Sequence, residues 1–390
     1  MSDWANDNDG WMLIASPLTG TTGYTSSSAN HVENLVVDSY NGNTDGEYHF
    51  DFYYWVGNSD MQWRNYRAAN PKFDMNNGQG YLYAARENRS VSFVGTAMAN
   101  NEDVEFEPLY GEDGGMEAFS LYGNPFVCDA YLIREEGSAM TFYVMNDEGS
   151  DFLLSEGPIG PMQGFFVYST VANQSFTISR TAPTAKSNNL CMNLVQGSNH
   201  IDNAMLWFGK GSMLPKMSFR AESSKVYIPV DGQDFAAVNA QAMGEMPVCF
   251  KAAKDVEYTL NFSIENVDFG YLHLIDNLTG DDVDLLAQPN YSFKASTSDY
   301  ASRFKLVFVS ENGPSTGSGA SGDFAFFSNG QLIVNNDGES VLQLMDIAGR
   351  VVSSESVSGC CSVSVDATPG LYLLRLISGE NVKTQKIVVQ

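Results

Sequence analysis

Apolar side chains in this chain recur at every second position, in short runs separated by turn residues. In 361–366, Cys361, Val363 and Val365 alternate with Ser362, Ser364 and Asp366. That step of two marks a half-buried strand, because successive side chains leave opposite faces of a sheet. Alternating or aromatic-rich runs of the same kind predict strands at 190–195, 204–208, 225–230, 246–251, 258–264, 271–276, 291–295 and 304–309. The last part of the chain adds strands at 324–327, 331–334, 341–345, 361–366, 370–379 and 382–390. Asn329-Gly330 and Asp337-Gly338 favour the positive φ of hairpin turns, and Thr368-Pro369-Gly370 suits a type II turn. Helical spacing is nearly absent, leaving one short turn at 31–35 and one short helix at 234–243. The expected fold class is all-β, with tandem antiparallel β-sandwich domains of jelly-roll or immunoglobulin-like type and a small C-terminal β-sandwich.

Laying the chain over itself shows a degenerate duplication in 10–180. GWMLIASPL at 10–18 resembles AFSLYGNPF at 118–126, and HFDFYYWV at 49–56 resembles AMTFYVMN at 139–146. MNNGQGYLYA at 75–84 resembles IGPMQGFFVYS at 159–169, and NRSVSF at 88–93 is echoed by NQSFTI at 173–178. Four blocks repeat in the same order with variable loops, as expected of one supersecondary unit used twice. Polar stretches at 181–189 and 311–323 then separate a duplicated module (10–180), a jelly-roll-like sandwich (190–310) and a terminal sandwich (324–390).

Composition narrows the partners. A formal charge of -26 over 390 residues argues against nucleic acid, whose phosphates need clustered Lys and Arg, and against anionic lipid surfaces. No window has the apolar length of a transmembrane segment. The start, MSDWANDNDGW, lacks the basic and apolar regions of a signal peptide. Five cysteines are too few and too irregular for a disulfide framework; Cys128, Cys191 and Cys249 sit among apolar neighbours and are expected to be buried, and only one of Cys360 and Cys361 can face inward.

The terminal blocks LQLMDIAGRVV, PGLYLLRL and KTQKIVV carry a resemblance. In this order at the chain end they resemble the C-terminal sorting domain of proteins exported by the type IX (Por) secretion system of Gram-negative bacteria. The resemblance implies an extracellular or outer-surface location and a partner in the outer-membrane secretion machinery. It also implies a tag that is often removed while the passenger is tied to surface lipopolysaccharide, and, with no signal peptide at the start, a fragment whose export signal is expected upstream. Position by position, Gly349 and Arg350 match the DxxGR turn, Gly370 and Tyr372 the GxY strand start, and Lys383, Lys386 and Ile387 the terminal block. FAFFSNGQLIV lacks the Pro-rich opening frequent in the family. The regions ahead of the tail are similar to the adhesin-like β modules that commonly precede such domains.

Chemical motifs are scarce. Gly317, Gly319 and Gly322 satisfy GxGxxG but lie in a Ser/Gly run rather than between a strand and a helix, so no dinucleotide site is expected. The four histidines never pair at metal-ligand spacing, and HExxH and GxSxG are absent. Asp7 and Asp9, or Asp281, Asp282 and Asp284, could hold a structural calcium ion, though solvated acidic loops explain them as well and no cofactor is expected. Tyr53, Tyr54, Trp55, Trp63 and Tyr66 lie close together, with Arg64 and Asn65 between them. On a strand Tyr53 and Trp55 share the face opposite Tyr54, so part of this set is core. Tyr54, Trp63 and Tyr66 remain as candidate aromatics for a glycan or a surface protein ligand. The expected function is that of a non-catalytic exported or cell-surface protein for adhesion or binding. The alternative is the accessory C-terminal region of a secreted peptidase or glycosidase whose catalytic domain lies upstream.

Overall fold

The computed structural model describes residues 10–19, 50–57, 61–66, 68–69, 73, 75–85, 96–98, 103–112, 114–134, 137–185, 187–209, 213–220, 222–310 and 323–389. Asp7 and Asp9, the expected turn at 31–35, the repeat block at 88–93 and the linker residues 311–322 lie outside them. Nearly every described element is a strand, the exception being a single 3-10 turn at Gly115–Ala118. Two compact units emerge. The first comprises Met1–Ser187, Val195–Asn203 and Met217–Ser223, and the second comprises Asn188–Leu194, Ala204–Lys216 and Ser224–Gln390.

In the first unit the duplication becomes geometry. The strand Met12–Ala15 pairs with Gly80–Ala85, which pairs with Phe50–Trp55, which pairs with Trp63–Asn65. In the second half Phe119–Gly123 pairs with Gly164–Tyr168, then Phe142–Met145, then Phe152–Ser155. Strand order is the same, and so is the register: Leu13 opposes Leu82 as Leu121 opposes Phe166, and Tyr53 opposes Leu82 as Tyr143 opposes Phe166. A one-residue slip would move every inward side chain to the wrong face, so a buried face on each sheet locks both copies into one register. Phe52, Tyr81 and Tyr83 form one core and their counterparts Phe142, Phe165 and Val167 another. The second core is roofed by a three-stranded sheet, with Phe176–Ser179 between Val104–Phe106 and Tyr131–Ile133.

The two halves exchange hydrogen bonds about a pseudo-two-fold axis. Ala15 N–H donates to Met162 O at 2.9 Å, and Gly123 N–H, its counterpart, donates to Gly78 O at 3.0 Å. Ile14 bridges Gln163 as Tyr122 bridges Gln79. Close approach at the axis demands glycine: a Cβ on Gly123 would fall 2.1 Å from the Ala15 Cβ, and one on Gly80 would fall 2.3 Å from Tyr122 O.

The second unit is built on an 11-stranded sheet. Its strands at Lys225–Val230, Met243–Lys251, Val256–Glu265, Phe269–Asp276, Asn290–Ala295 and Phe304–Ser310 follow the expected positions. Strands far apart in the sheet order meet face to face, with Phe293 4.9 Å from Phe304 and 5.1 Å from Phe250, as in a sandwich. One pairing is parallel, between Asn199–Trp207 and Gln233–Asn239, with Met205 opposite Ala237. The helix expected at 234–243 is this second strand instead. Asp231 and Gly232, both at positive φ, turn the chain directly back from Lys225–Val230, and Ala236, Ala237 and Val238 are buried in the sheet. Pairing on both sides overrides the helix propensity of its alanines.

The tail is a sandwich of a three-stranded and a four-stranded sheet around Leu342, Leu344, Leu374, Leu376 and Ile387. Asn329-Gly330 makes the expected two-residue hairpin, both residues at positive φ. Asp337-Gly338 does not; it carries the chain from Gln331–Val334 in one sheet to Glu339–Met345 in the other. Gly370 lacks the positive φ of a type II turn and simply opens the strand Gly370–Ser378. The strand Val351–Ser358 had no sequence signal, because this edge strand is mostly exposed and serine-rich. Cys361 packs on the sandwich core, whereas Cys360 packs outside it with Ile333 and Phe326 against Tyr271, Ile275, Val307 and Val309 of the preceding module. Cys191 and Cys249 are buried, but Cys128 is exposed, because the chain around it is a surface bend anchored by Asn124 rather than part of a strand.

Candidate functional site

The terminal motif residues have distinct structural tasks. Gly349, at φ 80, turns the chain after Asp346, whose carboxylate accepts the backbone N–H groups of Ala348 and Arg350 at 2.9 Å each. The Arg350 guanidinium closes the same loop from outside, Nε donating to Asp346 Oδ2 at 2.7 Å. The backbone N–H of Arg350, together with its side chain, holds the Asp346 carboxyl below the usual range. The DxxGR pattern is therefore a self-contained turn in which Asp, Gly and Arg are each required by geometry. Tyr372 points inward from the strand opened by Gly370 and donates its hydroxyl to Thr368 O at 2.8 Å, pinning the connection that precedes it.

In the last strand, Asn381–Val389, Ile387 is buried opposite Tyr372. Lys386 faces outward opposite Leu373, and Lys383 is exposed opposite Leu376. Between them Gln385 does something that sequence reading missed. Its Oε1 accepts the N–H groups of Phe324 and Ala325 at 2.8 and 3.0 Å, and its Nε2 donates to Ala325 O at 2.7 Å, so one side chain ties the first strand of the sandwich to the last.

The candidate aromatics separate. Tyr66 is fully buried, its ring edge-on to Phe52 and Phe73, and it presents no face to a ligand. It follows the last strand of its sheet and packs back under it, its N–H donating to Phe52 O at 2.8 Å. Tyr54 and Trp63 stay half-exposed. Arg64 donates from Nη1 to the Tyr54 hydroxyl at 3.2 Å, and Trp63 lies edge-on to Trp55 with 4.8 Å between centroids. Trp55 itself is core, its indole donating to Phe119 O at 2.8 Å.

The acidic cluster is occupied with local structure. Asp281 Oδ2 accepts from Tyr291 at 2.7 Å and from Thr279 at 2.8 Å, which holds its carboxyl below the usual range. Asp282 pairs with His273 Nδ1 at 2.7 Å, and Asp284 accepts the N–H of Leu286 at 2.9 Å. Nearby, buried Asp276 takes Nε and Nη2 of buried Arg303, the residue before the neighbouring strand Phe304–Ser310, and Arg303 Nη1 donates to Lys294 O at 2.9 Å. Among the described residues no group of three His, Cys, Asp or Glu side chains is placed to hold a metal ion, and no helix is long and apolar enough to cross a membrane.

Residues 328–390 match the family described as secretion system C-terminal sorting domain. A search of curated proteins returned no match. A solved structure described as a biofilm associated protein, BSP domain, aligns at 8% identity over 87% of each chain with a TM-score of 0.16, too low to bear on fold or function. The matched span runs from the first hairpin of the tail to its last strand and includes the Asp346 turn, the Tyr372 anchor and the Lys383–Ile387 block. The terminal sandwich is accordingly a type IX sorting domain, and the chain that carries it is secretion cargo destined for the cell surface or the extracellular space.

Proposed function

We propose that the chain ahead of the sorting domain is a non-catalytic binding region, which attaches the exported protein to a glycan or a surface protein. The observation that supports this reading is the edge formed by Tyr54, Trp63 and Arg64. On one face of this edge the Arg64 guanidinium lies 6.0 Å from the centre of the half-exposed Tyr54 ring, and on the other face Trp63, opposite Trp55, is also half-exposed. Flat apolar faces beside fixed donors suit a sugar ring or an aromatic-rich protein surface. The commitment of Asp281, Asp282 and Asp284 to turn and side-chain hydrogen bonds fits a structural role for that cluster.

The test is binding of the purified chain to a glycan array and to a panel of extracellular matrix proteins, repeated with Arg64→Ala. A hit that weakens about tenfold, equivalent to ~1.4 kcal/mol, with an unchanged melting temperature is the expected result. Hits that ignore the substitution, or turnover of a bound glycan or protein by the chain alone, would reject the reading.

A further inference from the structure

The two halves of the first unit differ most where their symmetry would place the same groove twice. In the second half, the face carrying Ser120 and Tyr122 is covered by the chain itself. The Phe106 ring lies 5.2 Å from the Tyr122 ring, the Tyr122 hydroxyl donates to Glu107 O at 2.7 Å, and Leu109 N–H donates to Ser120 Oγ at 2.8 Å. Phe106 also sits over Gly78, so close that a Cβ there would lie 2.8 Å from the ring. The Trp55 indole closes the far end on Phe119 O.

The pseudo-two-fold axis maps Ser120, Tyr122, Trp55 and Gly78 onto Met12, Ile14, Met145 and Met162. At that place no described residue takes the part of Phe106, and the described residues leave an open groove of about 440 Å³. Met12 and Met162 on its wall are 49% and 42% exposed. Asp147, which is exposed, supplies the only charge among the described lining residues. A second observation marks the same spot. Met162 has φ 64, where its counterpart Gly78 has φ 78. A side chain with a Cβ is strained in that region, and strain of this kind concentrates at ligand-binding positions.

We propose that this groove takes an extended peptide segment of a partner protein. Such a segment carries a bulky aromatic residue, for the position that Phe106 fills in the other half, and a neighbouring basic residue for Asp147. The occupant's form is read from the covered copy, where an extended stretch of the chain's own backbone lies in the equivalent place. Its charge is read from the wall. Methionine thioethers adapt to differently shaped apolar side chains, which suits a groove open to more than one sequence. The groove is on the opposite edge of the first sheet from Trp63–Asn65, and it does not depend on the aromatic edge.

A phage-displayed library of linear peptides panned on the immobilised full chain tests this. Enriched sequences should share an aromatic residue with a Lys or Arg close by, and a synthetic consensus peptide should bind by fluorescence anisotropy. Met12→Glu and Met162→Gly should each weaken it about tenfold, and Asp147→Asn should erase the preference for the basic residue. Met162→Gly should not lower the melting temperature, because it removes strained backbone, so lost binding by that variant cannot be misfolding even if Met12→Glu folds poorly. The proposal is overturned by the lack of an aromatic-basic consensus, or by equal affinity of wild type and Met162→Gly. It is equally overturned by sedimentation showing that Met12→Glu splits a homodimer, which would make the occupant a second copy of this chain.

Discussion

The halves of the N-terminal module agree wherever backbone meets backbone and part company wherever side chains fill space. Ala15 and Gly123 sit at equivalent positions in equivalent strands, each opposite the glycine that opens the neighbouring strand, Gly80 or Gly164. Yet one copy buries Tyr81 and Tyr83 where the other buries Phe165 and Val167, and one groove is filled by Phe106 where the other is left open by the described residues. Register in a sheet is collective, since one slip inverts every residue on a strand. Core filling is local and tolerates exchange at similar volume. Duplicated sequence can therefore drift far in identity while the hydrogen-bond pattern stays fixed, and new binding surfaces arise where drift leaves a space unfilled.

The largest expected effect falls on the axis itself. Gly123→Ala places its Cβ 2.1 Å from the Cβ of Ala15 and 2.9 Å from Gln79 O, neither of which can swing aside. We expect a loss of about 3 kcal/mol, the upper range for an overpacked site. Adding Ala15→Gly should recover more than about 1 kcal/mol of that as coupling, read from urea unfolding followed by the fluorescence of Trp11, Trp55 and Trp63. If the double variant is no more stable than Gly123→Ala, the two residues do not face each other and the symmetry is wrong. Next comes Asn124, whose Nδ2 reaches Cys128 O and Ile159 O at 2.8 Å each while its Oδ1 accepts the N–H of Phe126 at 2.9 Å. Asn124→Ala should cost about 2 to 3 kcal/mol, because those buried groups lose their partner together. Ser16, its counterpart, accepts the N–H of Leu18 at 3.3 Å, and Ser16→Ala should cost about 1 kcal/mol. Equal losses in the same unfolding assay would mean that the halves are closer in energetics than in contacts.

Much of this architecture was legible in the residues. The order of the repeat blocks anticipated strand order in both halves, and period two placed most strands of the second unit and the tail. What escaped detection has physical causes. Asp231-Gly232 is the same kind of hairpin dipeptide as Asn329-Gly330, but the alanines after it suggested a helix until pairing on both sides is known. Val351–Ser358 buries too little to alternate. Tyr66 and Trp63 are separated by two residues in sequence, and only the turn after Trp63–Asn65 decides that one is core and the other edge. The sorting motif was the most legible site, since Asp346, Gly349 and Arg350 interact with one another within five residues. Gln385 was not, because its partners Phe324 and Ala325 lie at the other end of the domain. The open groove was invisible for the same reason: it is a difference between two places, each assembled from three separate blocks.

An effect between those of Asn124→Ala and Ser16→Ala should come from making the halves alike. Phe106 is half-buried, so Phe106→Ala should cost about 2 kcal/mol, below the range for a fully buried ring. The bonds of Glu107 O and Leu109 N–H still hold backbone over that face, so the number of consensus peptides bound per chain in a titration calorimeter should stay at one. A rise to two would show that the Phe106 ring alone closes the second groove.

The smallest change is the most discriminating. Met162→Gly removes a left-handed non-glycine residue, worth about 1 to 2 kcal/mol, and adds glycine's extra unfolded-chain freedom, which costs about 0.5 to 1 kcal/mol. The net expectation is a gain of about 0.5 to 1 kcal/mol, seen as a slightly higher urea midpoint. The reverse exchange, Gly78→Met, cannot be its mirror image, because the new side chain would run into the Phe106 ring 2.8 Å away. A stabilising change in one half and a destabilising one in the other, at positions that share a left-handed φ and the same hydrogen bond across the axis, would locate the asymmetry in what covers the strand and not in the strand itself.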